Sequence, residues 1–356
     1  MDHLTRKFYH KSANQKIIFG VDSVDDLPRE LKVLGLKRPF IISSLGRNLL
    51  TSNIIGILGD KFDCTYQNAI SYIHEEEFDL CNYAIGNSKS DCIISVGGGA
   101  IIGLCKSLAV NLGVPLITIV LTYSGSEISN NWAIGCDDLG RSGESILALP
   151  SLIIYDPKLT LSLPINFSLA SGMNALSHAV ESLYGDKTTN KTNIASERAI
   201  RILNSSLPAL IANPMNIKVR TEILYGAWLA ASFRGGSGIS HQIARMIGHS
   251  FSLNHAEVHA KVLPYAVWFN ENFATKAIKI IKRSINSHEA GGGLYDFVKL
   301  LGLKTGINEP HISKNDVSSI MENILKNDFH NPRPLNSKNV LLLLNLIFDG
   351  DRPKSP

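Results

Sequence analysis

Between residues 16 and 158, short runs of β-branched and aliphatic residues alternate with longer amphipathic segments. The runs are KIIFG (16–20), RPFIISS (38–44), the weaker FDCTYQ (62–67), DCIISV (91–96), VPLITIVLT (114–122) and SLIIYDPK (151–158). Between them lie SVDDLPRELKVLG, opened by Ser and Asp cap residues and closed by Gly35, then NLLTSNIIGILGDK, EEEFDLCNYAIGNSK and GGGAIIGLCKSLAVNLG. A strand apolar on both faces must be covered on both faces, and parallel neighbours need helical crossovers. The alternation therefore predicts an α/β domain with a parallel, Rossmann-like sheet, its last strand at SLIIYDPK.

Beyond about Pro164 strand-like runs nearly vanish. SLASGMNALSHAVESLYG, TNIASERAIRILNSSLPALIAN and VRTEILYGAWLAASF carry helical spacing, as does the tail after Glu289. Loops are expected at GGG (291–293) and FHNPRP (329–334). No strand precedes Gly291–Gly293, so it reads as a flexible connection to the next helix. A chain of 356 residues is long enough for two cores. We place the boundary near 158: an α/β domain over 1–158 and an all-α domain over 159–356.

Charge excludes some partners. Thirty-five basic against 31 acidic residues leave +4, too small and dispersed a surplus for nucleic acid, though compatible with a pocket for an anion. The longest apolar run, VLLLLNLIF (340–348), is too short to span a bilayer and carries Asn345. MDHLTRKFYHKS at the N-terminus has no apolar signal core, so the expected location is the cytoplasm. The five cysteines (Cys64, Cys81, Cys92, Cys105, Cys136) show no paired spacing and read as small buried hydrophobes.

Three stretches carry the chemistry. Gly97-Gly98-Gly99 sits between a strand and a helix, where backbone amides and a positive helix end hold a diphosphate that a side chain would block. The spacing is not G-x-G-x-x-G: Ile102 stands five residues after Gly97, and the next glycine is Gly103. LTYSGSEIS (121–129) follows a strand and brings hydroxyls to the carboxyl end of the sheet, where ligands of such folds bind. The third element is a set of histidines. SHQIARMIGHSFSLNHAEVHA (240–260) holds His241, His249, His255 and His259, with Arg245 one turn after His241 on the same helical face. Asn174 and His178 are likewise four apart in SGMNALSHAVESLYG. Asn174, His178, His241 and His255 together would offer three imidazoles and an amide oxygen, a conceivable shell for a borderline dication.

These elements, in this order, resemble the iron-containing alcohol dehydrogenase superfamily, and within it the maleylacetate reductase branch. The matching stretches are SVGGGAIIGLCK, LTYSGSEIS, LIIYDPKLTLSLP, SGMNALSHAVESLYG, YGAWLA, NHAEVHAKVLPYA and HNPRP, which span almost the whole chain. The resemblance implies a dehydroquinate synthase-like architecture: an N-terminal dinucleotide-binding domain, a C-terminal helical domain and an active site in the cleft between them. It implies NADH or NADPH along Gly97, Gly98, Gly99, Ala100, Thr122, Tyr123 and Ser126, and a homodimer. Metal-using members supply one aspartate and three histidines, and those positions fall on Asn174, His178, His241 and His255. Asparagine replaces the aspartate, and Gly103 stands where an acidic residue often follows the triple glycine, both as in the maleylacetate reductase branch. Losing the one anionic ligand weakens a dication's hold and argues against an obligatory metal.

Two departures set this chain apart. Arg245 occupies a position that is usually histidine, and Gly248-His249 replaces a usual Gly-Gly. Arginine keeps its charge at any ordinary pH, so Arg245 cannot be an acid or base and suits docking a carboxylate or holding an enolate. The expected function is an NAD(P)H-dependent reductase of an anionic unsaturated oxo-acid, delivering hydride to a conjugated C=C bond in aromatic-compound catabolism. Asn174, His178, His241, Arg245 and His255 are the candidate catalytic residues. Alternatives are a metal-dependent dehydrogenase of a neutral alcohol or aldehyde, and a scaffold repurposed for non-redox chemistry; metal analysis with a chelator test, and coenzyme absorbance with oxo-acids, separate the three.

Overall fold

Apolar residues at most positions of the inner strands, on both faces, force the first half of the chain into a covered sheet. The computed structural model describes residues 6–12, 14–62, 65–69, 75–134, 141–251, 253–307 and 312–354. Its strands are β1 (Phe8–Lys11), β2 (Lys16–Phe19), β3 (Pro39–Ser44), β4 (Thr65–Ala69), β5 (Cys92–Gly97), β6 (Leu116–Val120), β7 (Asn131–Ile134), β8 (Arg141–Glu144) and β9 (Leu152–Tyr155). Seven form one sheet in the order β1-β2-β9-β6-β5-β3-β4, parallel except for the β1–β2 pair. Every residue of β5 and β6 is buried.

The helices of this half are α1 (Leu27–Val33), α2 (Asn48–Leu58), α3 (Glu75–Asn87) and α4 (Gly99–Leu112). Alternation along the strands decides which face each side chain serves. Ile41, Ile94, Ile117 and Ile119 pack with Leu27, Leu31, Ile54 and Leu58 of α1 and α2. Phe40, Ile42 and Ile93 pack with Phe78, Ile85, Leu104 and Leu108 of α3 and α4. The sheet is thus covered on both faces, the layering that its strand composition requires.

The second half is helical: α5 (Ile165–Ser182), α6 (Asn190–Ala212), α7 (Ile217–Ser232), α8 (Ile239–Ser250), α9 (His255–Asn270), α10 (Thr275–Ile285), α11 (Gly291–Leu300), α12 (Lys314–Lys326) and α13 (Ser337–Asp349). Its core includes Ile239, Ile243 and Ile247 of α8, Val258, Val262 and Tyr265 of α9, and Val340, Leu343 and Ile347 of α13. Two compact units result, Met1–Leu163 and Pro164–Pro356.

Several local expectations need correction. Gly291–Gly293 is the first turn of α11, not a flexible connection. A Cβ on Gly291 would stand 2.5 Å from Trp268 Cβ and 2.9 Å from the Pro264 carbonyl oxygen, so the glycines let α11 lie close against α9. The Asp residues before α1 make no side-chain cap. Its end is as read, with Gly35 at φ +75° closing the helix. The β7–β8 ribbon was not anticipated, because RSGE is exposed at every position and carries no apolar alternation. Cys81, Cys92 and Cys105 are buried; Cys64 and Cys136 lie outside the described residues. No helix among the described residues is long and apolar enough to cross a membrane.

Candidate active site

Each unit carries its own group of candidate residues, and each group follows from the chain beneath it. In the first unit, Gly97 ends β5, Gly98 is the N-cap of α4 and Gly99 its first residue. No side chain caps α4, so its first backbone amides have no side-chain acceptor from an N-cap. A Cβ on Gly97 would stand 2.7 Å from Ile101 Cβ, one on Gly98 2.6 Å from Thr122 Cγ2, and one on Gly99 3.2 Å from Ser124 Oγ. The triple glycine therefore lies directly against the Thr122–Ser126 loop, and Leu121 N–H donates to the Gly97 carbonyl at 3.0 Å. Ala100 is half-buried in the first turn of α4, Tyr123 is buried, and Ser126 opens a short 3-10 turn.

Buried Lys106 of α4 fixes that loop from behind. Its ammonium donates to the Ser126 carbonyl at 2.6 Å, to Ser129 Oγ at 3.0 Å and to the Asn131 carbonyl at 3.2 Å. Thr122 Oγ1 is buried with no hydrogen-bond partner. Side-chain-free backbone, open helix amides and one orphaned hydroxyl make a cradle that suits a dinucleotide diphosphate.

In the second unit α5 presents Asn174, His178 and Glu181 at i, i+4 and i+7, on one face. α8 brings His241 and α9 brings His255 and His259. His241 Nε2 and His178 Nδ1 are 2.7 Å apart, and Arg234 Nη2 stands 3.2 Å from His178 Nε2. The Glu181 carboxylate, 0% exposed, pairs with His241 Nδ1 and accepts the Ser240 N–H at 2.7 Å. These groups admit one direction of donation. A guanidinium only donates and a carboxylate only accepts. Arg234 donates to His178 Nε2, His178 Nδ1–H to His241 Nε2, and His241 Nδ1–H to Glu181, so both rings are Nδ1–H tautomers.

A second pair lies alongside. Ser177 Oγ donates to the Asn174 carbonyl at 2.7 Å and meets His259 Nδ1 at 3.2 Å, while His259 Nε2 meets His255 Nε2 at 3.1 Å. Burial, then the charges of His241, His255 and Arg234, hold buried His259 well below the usual histidine range. His255 is exposed as a residue, yet its ring stands edge-on to that of His259 with centroids 4.6 Å apart. Desolvation there, with the charges of His241 and Arg245, pushes it down to about 4. Both rings are therefore neutral at neutral pH.

The structure brings Asn174, His178, His241 and His255 into one neighbourhood, and adds His259, Glu181 and Arg234, which were not among the sequence-derived candidates. Glu181 was accessible from the helical spacing Asn174–His178–Glu181; Arg234 lies in a loop, where spacing gives no signal. Arg245 is exposed on α8, its guanidinium on Gln242 Oε1 at 3.2 Å; among the described residues it forms no hydrogen bond to an imidazole, and it acts on His255 through its charge. The side chain of His249 lies outside what the structure describes.

The four mapped ligand positions do not fit a tightly held dication. They contain no carboxylate, and Glu181 is committed to His241 and Ser240. Both nitrogens of His178 are committed too, one of them to a cation. A metal ion there would face guanidinium charge across neutral donors. Among the mapped donors, Asn174 Oδ1 is buried and open: the residue is 4% exposed and that oxygen has no partner.

With these two parts described, comparison with known proteins defines the class. The iron-containing alcohol dehydrogenase profile matches residues 14–157, and the profile described as "Fe-containing alcohol dehydrogenase family, C-terminal" matches residues 168–348. The chain belongs to the iron-containing alcohol dehydrogenase family and is an oxidoreductase of that family. Among its relatives, a maleylacetate reductase of Burkholderia cepacia is 31% identical over 348 residues, covering 97% of this chain and 99% of its own. Maleylacetate reductase 1 of Cupriavidus pinatubonensis is 32% identical over 350 residues, covering 98% and 99%. Among solved structures, maleylacetate reductase from Agrobacterium tumefaciens superposes with a TM-score of 0.89 at 28% identity, covering 98% of this chain and 100% of that one. A sulfoacetaldehyde reductase from Bifidobacterium kashiwanohense in complex with NAD+ shares the fold, with a TM-score of 0.85 at 18% identity over 97% and 100%.

Proposed function

We propose that this chain is an NAD(P)H-dependent reductase of a small anionic, unsaturated oxo-acid, of the maleylacetate type. The observation that carries the reading is the histidine cluster itself, where asparagine stands at the acidic ligand position and a guanidinium caps His178. Such a site favours an anion over a metal-bound neutral alcohol. End-to-end similarity to maleylacetate reductases supports the substrate class, and the orphaned Thr122 hydroxyl beside the triple glycine supports a dinucleotide.

When bound, the reduced nicotinamide supplies hydride to the conjugated C=C bond. Gly97–Gly99 let the Thr122–Ser126 loop close onto the start of α4, and the uncapped α4 amides hold the charge of the diphosphate. On the helical unit, the charge of Arg245, which reaches the cluster at His255, stabilises the oxyanion that develops as hydride arrives. Glu181 fixes the His241 ring, which in turn holds His178 and, through it, the Arg234 guanidinium. The neighbouring carbon takes its proton from a water held at the cluster, because both nitrogens of His241 are committed and His255 is neutral. One hydride and one proton together saturate the double bond.

The test is coenzyme absorbance at 340 nm with maleylacetate, other oxo-acids and neutral aldehydes, with and without chelator. Consumption confined to unsaturated oxo-acids and unmoved by chelator is expected. Turnover of neutral aldehydes that chelator abolishes would overturn the proposal.

A further inference from the structure

We propose that Arg234 is the carboxylate-docking residue that sets this protein's preference for an acid, an inference that rests on the reductase reading above. The loop that carries it, FRGGSG between α7 and α8, has its path set by glycines. A Cβ on Gly235 would collide with the Ser182 carbonyl, and one on Gly185 with the Gly235 carbonyl. Gly236 has φ +125°, a conformation that side chains rarely adopt, and a Cβ on Gly238 would stand 3.0 Å from Glu181 Oε1. Lys187 N–H donates to the Gly235 carbonyl at 2.8 Å, and Thr188 Oγ1 donates to the Ser182 carbonyl at 2.6 Å. The loop is thereby laid onto the C-terminal end of α5, the helix that carries His178. Arg234 is the residue just before that attachment, exposed, with Nη2 3.2 Å from His178 Nε2.

A guanidinium has five N–H groups in a planar fork, and one of them serves His178. A carboxylate arriving at the His178 edge meets a fixed charge whose geometry is that of its own two oxygens. Asn174 stands one turn before His178 on the same face, and its buried Oδ1 lacks a donor. A site with a fixed cation and an unused acceptor suits an acid that also brings a hydroxyl, an enol or a bound water. Arg245 is one helical turn beyond His241 and already pairs with Gln242, so it is the more peripheral of the two guanidiniums.

Two anions could use Arg234, the substrate carboxylate and the coenzyme diphosphate, and the experiment separates them. Arg234→Gln and Arg234→Lys are compared with the unaltered protein in three measurements. These are steady-state kinetics with maleylacetate and with its neutral ester, NADH binding by fluorescence, and binding of 2-oxoglutarate, a saturated oxo-diacid, by calorimetry. Expected in Arg234→Gln are a KM for the acid raised at least about tenfold, the size of one charge-assisted contact, and kcat moved far less. The ester's kinetics and the NADH affinity should stay unchanged, and Arg234→Lys should recover part of the loss. An unchanged KM for the acid, or a loss of NADH affinity in its place, overturns the proposal. If the unaltered protein reduces no oxo-acid, the reductase reading fails by itself. The docking claim is then decided by calorimetry: 2-oxoglutarate binding at least about tenfold weaker in Arg234→Gln supports it, and equal binding refutes it.

Discussion

Replacing Glu181 by glutamine should reverse the polarity of the histidine chain at almost no cost in volume. The carboxylate accepts from two donors, the Ser240 N–H and His241 Nδ1–H. A glutamine amide has one acceptor and one donor end. If its oxygen serves Ser240, its NH2 faces His241 Nδ1 and forces the proton to Nε2. That proton then faces His178 Nδ1–H; moving the His178 proton to Nε2 sets it against Arg234. Rotating the amide only transfers the mismatch to Ser240. One donor therefore faces another somewhere along the chain, and at a buried position this costs about 1–3 kcal/mol. For a domain of this size that is a fall in Tm of roughly 3–10 °C. Thermal denaturation reads the loss, and nitrogen NMR of labelled histidine reads the tautomers, which should be Nδ1–H at His178 and His241 in the unaltered protein. A Tm within about 1 °C of the unaltered protein, with both rings still Nδ1–H in Glu181→Gln, would refute the directional chain.

Other outcomes follow from the first unit. Gly98→Ala places a Cβ 2.6 Å from Thr122 Cγ2; overpacking of about 1–3 kcal/mol and weaker NADH binding are expected, and adding Thr122→Ser should restore part of both because it removes that methyl. Independent effects that simply sum would contradict the steric account. Asp156 is buried, and burial raises its pKa from 3.8 to about 6 despite backbone N–H donation from Lys158 and Val24. A carboxyl whose folded pKa lies above its unfolded one stabilises the fold while protonated, and that contribution is lost as pH rises from about 4 to 6. At about 1.4 kcal/mol per tenfold in proton affinity the loss is about 3 kcal/mol. The stability of the protein relative to its Asp156→Asn variant should therefore fall between pH 4 and 7; a flat difference by denaturant titration would contradict it.

The sheet was legible because its strands are apolar on both faces, and burial on both faces leaves a pattern that residue types alone reveal. The β7–β8 ribbon was not, since β7 is only four residues long and its partner β8 is exposed at every position and obeys no burial pattern. At the site, helical spacing brought out Asn174 with His178 and His241 with Arg245. Spacing says which residues share a helix face but not which neighbour that face meets. Arg245 therefore looked like the docking cation although its guanidinium rests on Gln242. Arg234 was invisible because its position depends on glycines in a loop packing against the end of α5, a tertiary contact with no sequence period. The Gly291–Gly293 misreading has the same origin: close helix packing and loop flexibility both use glycine, and only the neighbour, here Trp268, tells them apart.

The central claim is that a fixed guanidinium, in place of a metal dication, provides the positive charge at the histidine cluster. Diffraction from crystals soaked with reduced coenzyme and 2-oxoglutarate tests it directly. A carboxylate of the acid is expected within hydrogen-bond distance of the Arg234 guanidinium, beside His178. An ion ligated by Asn174 Oδ1 and the imidazoles of His178, His241 and His255, or Arg234 turned away into solvent with the acid bound elsewhere, would contradict it.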